Sequence, residues 1–143
     1  MTHEDAGHYA EKHKGAVVDE KIAARVREKA SGDSLSCGAA HVIAGELGVV
    51  PAEVGKTMDL LEIRIEKCQL GLFGYGEKKR IVTPAKAVTP ALEKAIRGGL
   101  VAGRLPCKAA WDLADRFSMK KLDLANACEK LGIKINSCQI GSF

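Results

Sequence analysis

The feature that most constrains this chain is an internal repeat at a spacing of 70 residues. Adding 70 carries Leu35, Cys37, Ala39, Ala40 and Ala44 onto Leu105, Cys107, Ala109, Ala110 and Ala114. The same offset carries Leu61, Ile63, Ile65, Cys68, Gln69, Gly71 and Phe73 onto Leu131, Ile133, Ile135, Cys138, Gln139, Gly141 and Phe143. No gap is needed, and upstream Ile22, Val26 and Arg27 meet Leu92, Ile96 and Arg97. Two copies make a tandem rather than a solenoid. A unit of roughly 55 residues is marginal alone, so the copies are expected to pack on each other.

The most ordered part of each copy lies at its centre. In copy one, Ala40, Ile43, Ala44 and Leu47 recur at helical spacing and run into Gly48. Pro51, tolerated in a first helical turn, opens a second apolar-periodic stretch through Val54, Met58 and Leu61. Ala44 is small where two helices must approach, Gly48 suits a positive φ, and Val49 and Val54 can plug the angle. This pattern reads as a helix-turn-helix.

Taken in order, residues 1–17 read as a polar, loosely helical tail in which His3, His8 and His13 do not share a helix face. Residues 18–76 form the first repeat, with helices expected over Val18–Ala30, from near Cys37 to Leu47, and over Pro51–Glu62. Ser34 or Ser36 can cap the second of these. Alternation at Ile63 and Ile65 then predicts a short strand. Gly71, Gly74 and Gly76 lead into Lys78, Lys79, Arg80, Ile81 and Val82, which predicts a basic return strand and a β-hairpin wing within a wing and linker over 77–88. The second repeat, 89–143, opens with Thr89 as cap and Pro90 as first helical residue. Its third helix is expected over Lys120–Leu131 and its strand over Ile133–Gln139, with the wing absent or the strand pairing with copy one. The expected fold is mainly α: two tandem three-helix helix-turn-helix units, each followed by a short strand in a winged-helix-like manner.

Charge separates the copies. Residues 1–73 hold 9 Lys and Arg against 12 Asp and Glu, and residues 74–143 hold 13 against 6, so net charges of −3 and +7 make up the total of +4. Six aromatics are too few for a platform that stacks single-stranded nucleic acid. No apolar run approaches the roughly 20 residues of a membrane span. Met1 to Asp5 lack the basic and apolar stretches of an export signal, so a cytoplasmic location and reduced thiols are expected.

In a DNA-reading helix-turn-helix, the exposed start of the second motif helix meets base edges while Lys and Arg hold phosphates. Copy one presents Val50, Pro51, Ala52, Gly55 and Lys56 there, with Glu53, Asp59 and Glu62 nearby. Copy two presents Lys120, Lys121, Ala125 and Asn126, and asparagine can pair bidentately with adenine. Copy two is therefore the expected reader of double-stranded DNA, with Lys78, Lys79 and Arg80 laid along the backbone. A solvated helix start explains Lys120 and Lys121 equally simply, and Asp123 opposes the DNA role.

Cys37 and Cys68 are 31 residues apart, as are Cys107 and Cys138. Three readings stand: small buried residues, thiol pairs that sense oxidation, or part of a metal site. A repeated zinc site is disfavoured because His41 has Trp111 as its counterpart, and no metal or cofactor is expected. Cys128 maps onto Met58 and reads as core. The run from Cys68 to Gly71, repeated from Cys138 to Gly141 and followed by an aromatic, is the least generic stretch. The sequence shows neither a phosphate-cradling loop nor a paired nucleophile and base, so no enzyme activity is expected.

Over residues 18–143 the chain resembles the tandem helix-turn-helix, winged-helix-like family of small bacterial-type regulators. Copy two departs from the pattern at Ser118, which stands where copy one has Gly48. The resemblance implies DNA binding through residues 120–126 and 78–80, with copy one in a supporting role. The alternative expectation is a protein-interaction module that keeps this scaffold without binding DNA, with the apolar Val50, Pro51 and Ala52 of copy one facing a partner.

Overall fold

A computed structural model describes residues 9–13 and 15–143. His3 and His8 lie outside the described residues. The described chain is mainly helical with small strands. The elements are α1 (Glu20–Lys29), β1 (Ser34–Ser36), α2 (Cys37–Leu47), α3 (Pro51–Leu60), β2 (Arg64–Glu66), α4 (Pro90–Gly98), β3 (Leu105–Pro106), α5 (Cys107–Arg116), α6 (Lys121–Leu131) and β4 (Ile135–Asn136). Two short 3-10 turns, Tyr9–His13 and Gly76–Lys78, complete them.

The chain forms two compact units, the first built from Met1–Cys68 with Gln139–Phe143 and the second from Gln69–Cys138. The tail motif of each copy therefore packs within the unit of the other. Copy boundaries and unit boundaries part company right after Cys68 and Cys138.

In unit 1 the helices start where local chemistry starts them. The Asp19 carboxylate caps α1 by accepting from the Lys21 and Ile22 amides, and the Ser36 hydroxyl caps α2 by accepting from Ala39 at 3.1 Å. Gly48 ends α2 in the left-handed conformation at φ 66°, and Pro51 opens α3, so the two helices meet at 115°. Ile22, Val26, Ala40, Ile43, Val54 and Met58 fill the core between α1, α2 and α3. No helix among the described residues is long and apolar enough to cross a membrane.

The strand pairing differs from the expected hairpin. Residues 64–66 do form a strand, but it runs parallel to β1, with Leu35 opposite Ile65. Over 77–82 no strand forms among the described residues, and the glycines lead into the 3-10 turn. The reason lies just before α2. Leu35, 2% exposed, holds β1 against the core beside Ile65, so the strand's partner is already supplied within the repeat.

Unit 2 repeats this plan. The Thr89 hydroxyl caps α4 by accepting from Leu92 at 3.2 Å, and Leu92, Ile96, Leu105, Ala110, Leu124 and Cys128 are buried. β4 pairs in parallel with β3 of its own unit and not with a strand of copy one. Ser118 adopts φ 52°, the left-handed geometry of Gly48, without the freedom of glycine.

Candidate functional site

The third helix of each unit carries the residues that sequence reasoning put forward, and in both units another segment of chain lies on it. In unit 1 that segment is the turn Tyr9–His13. The Tyr9 and Ala10 amides donate to the Glu62 carboxylate at 3.0 and 2.8 Å, and His13 Nε2 lies 2.7 Å from Asp59 Oδ2. Tyr9 is buried, and so is Asp59 at the end of α3. The tail of copy two adds a second cover. A Cβ on Gly55 would lie 1.8 Å from the Ile140 carbonyl oxygen, so only glycine lets that backbone reach α3.

In unit 2 the equivalent segment is Arg80–Ala85. The Arg80 guanidinium donates to Glu129 at 3.0 Å, the Thr83 amide donates to Asn126 Oδ1 at 2.9 Å, and the Ala85 amide donates to the Asn126 carbonyl at 3.0 Å. Adding 70 to His13 gives Thr83, and adding 70 to Asp59 gives Glu129. The repeat thus includes a strap ahead of each copy, laid on that copy's third helix. Sequence reasoning missed these straps because their side chains have diverged. The constant offset was the signal that could have found them.

The predicted contact residues fall as follows. Lys120 is exposed at the N-cap of α6. Lys121 is half-buried, its ammonium 4.4 Å from the centroid of the Trp111 ring, a cation–π contact. Asn126 is half-buried and its carbonyl oxygen Oδ1 is engaged by Thr83. Lys78 and Lys79 are exposed on the second 3-10 turn and its cap. Arg80 comes to α6 through Glu129, so the structure brings the basic segment and α6 together in unit 2. Lys56 belongs to unit 1, where Glu53 lies 3.8 Å away.

What remains outward on these helices is short. On α6 the outward row is Asp123, Asn126 and Lys130, of which only Asp123 and Lys130 are exposed. On α3 it is Glu53, Lys56 and Leu60, of which only Glu53 is exposed. Each row has an acid near its N-terminal end.

None of the five cysteines is joined in a disulfide. Cys37 opens α2 next to Ser36, which pairs with Glu66, and Cys68 follows Glu66 by two residues, so both thiols leave the same end of the small sheet. Cys107 and Cys138 repeat the placement. Cys37, Cys68 and Cys107 are buried and Cys138 is half-buried, the setting of small apolar residues. Burial also pushes the Cys128 thiol from 9.0 up to about 11. Among the described residues no group of three or more His, Cys, Asp or Glu is placed to hold a metal ion.

No protein-family model, curated protein or solved structure matches the chain.

Proposed function

We propose that the chain is a protein-interaction module built on two helix-turn-helix units, rather than a reader of DNA sequence. The 115° bend between α2 and α3, across a three-residue turn containing glycine, supports the helix-turn-helix reading of unit 1. The single observation that carries the functional reading is the covered third helix. A recognition helix must offer a free row of donors to base edges. On α6 the row instead begins with Asp123, which phosphates repel, and continues with a half-buried Asn126 whose Oδ1 already accepts from the Thr83 amide. Bidentate pairing with adenine needs that amide to turn its oxygen and nitrogen together toward a base edge, away from the strap.

Unit 2 still carries +7, so weak, sequence-independent attraction to DNA is expected. Repeated selection from a random duplex pool is the test. The module reading expects retention that vanishes with added salt and no enriched sequence. Enrichment of a defined sequence, with binding lost in Lys120→Ala/Lys121→Ala, would restore DNA reading.

A further inference from the structure

The crossing of the first two helices has diverged in opposite directions in the two units. In unit 1, Arg25 on α1 pairs with Glu46 on α2, and Glu28 lies 3.7 Å from the same guanidinium. Long side chains roof the crossing. Adding 70 puts Ala95 at Arg25, Arg116 at Glu46, Gly98 at Glu28 and Ala91 at Lys21. The roof is gone in unit 2, and an open groove of about 600 Å³ runs between α4 and α5, floored by Ala95, Ala109, Leu113 and Phe117. Lys94 and Arg116 stand on its walls, and the Arg116 guanidinium lies 5.2 Å from the Phe117 ring centroid. Asp112 also borders the groove, but its carboxylate is held by Lys108 at 3.0 Å.

Unit 1 changed the other way. Where α5 carries Asp112 and Asp115, α2 carries Val42 and Gly45. Val42 is 55% exposed, and with Gly38 and Gly45 it makes an uncharged, narrow row along α2. A Cβ on Gly45 would meet nothing within 4 Å, so this row is open to an approaching surface. One unit thus presents a slender apolar ridge and the other an apolar groove between two cations.

We infer that the groove of unit 2 is the docking site for α2 of a second copy of this chain, with Val42 seated between α4 and α5 of its neighbour. The inference rests on the module reading above and names its partner. The net charge of −3 on unit 1 and +7 on unit 2 draws unlike units of two molecules together. Because ridge and groove are different surfaces, each contact joins unit 1 of one molecule to unit 2 of another.

Sedimentation equilibrium of the full chain tests this with one variant on each surface. Ala95→Arg restores over the groove the long side chain that roofs the crossing in unit 1, and Val42→Lys brings a like charge between Lys94 and Arg116. Circular dichroism checks that both remain helical. Wild type is expected to associate more as concentration rises, and each variant alone to sediment as a monomer. An equimolar mixture is expected to recover a one-to-one pair, since one variant keeps an intact ridge and the other an intact groove. A wild type that stays monomeric at every concentration overturns the inference, as does association that both variants leave unchanged or a mixture that fails to pair. A monomeric wild type that yields no selected DNA sequence ends self-docking while leaving the module reading in place.

Discussion

At the scale of single residues, the two copies solve the same backbone problem with different side chains. Gly48 and Ser118 both end a helix at positive φ, 66° and 52°. An L-residue there costs roughly 1–2 kcal/mol, and glycine regains part of that against its greater unfolded entropy. Ser118→Gly is therefore expected to stabilise the protein by about 0.5–1 kcal/mol, and Gly48→Ala to destabilise it by about 1 kcal/mol. Denaturant titration of the two variants checks the opposite signs. Cys128 supplies a second prediction. Its folded-state thiol is raised from 9.0 to about 11, so the folded chain keeps a proton that the unfolded chain gives up. The associated stability is fully present below about pH 9 and is lost as pH rises toward about 11. Wild type should lose more stability over that window than Cys128→Ala, as measured by denaturant midpoints at each pH. Equal losses would show that the buried thiol does not titrate this way.

At the scale of elements, the third helices are held from outside as well as from the core. The tail residue Ile140 is 3% exposed, and its backbone presses on α3 at Gly55. Overpacking at such a contact costs typically 1–3 kcal/mol, so Gly55→Ala is expected to destabilise by about that amount. The physical cause can be isolated by ending the chain after Cys138. Without the tail the clash has no partner, and alanine exceeds glycine in helix propensity by about 1 kcal/mol, so the same substitution should become stabilising. A Gly55→Ala penalty that persists in the shortened chain would refute the contact. The straps belong to this scale too. His13 with Asp59, and Arg80 with Glu129, do the same job with different chemistry, since each pair ties a preceding segment to the C-terminal half of a third helix.

At the scale of the whole molecule, unit 1 is discontinuous in sequence because Gln139–Phe143 complete it. No single cut in the chain yields both units intact. Fragments 1–86 and 87–143, produced separately, are each expected to show weak, poorly cooperative helicity, and their mixture to recover the far-ultraviolet spectrum and melting transition of the full chain. Independent cooperative melting of either fragment would contradict this view of how the units are completed. The exchange also gives the repeated cysteine-glutamine motif a physical role. Gln69 and Gln139 mark the points where the chain passes between units, and Leu70 and Ile140, one residue on, are buried in the unit of the other copy.

By itself the sequence determined what depends on neighbours along the chain. The helix starts at Pro51 and at Thr89-Pro90 were legible, as were the turn at Gly48 and the apolar faces of α2 and α3, because caps, φ preferences and helical spacing act within a few residues. The exact 70-residue repeat also foretold that the two copies share one plan. Tertiary structure alone decided the partners. The alternation at Ile63 and Ile65 announces a strand, yet only the burial of Leu35 selects β1 over a hairpin return. Lys121, Asn126 and Arg80 look like free contacts in one dimension, and only folding brings Trp111, Thr83 and Glu129 to them. Those pairings join residues 10 to 49 positions apart, beyond the few residues over which caps and helical spacing act.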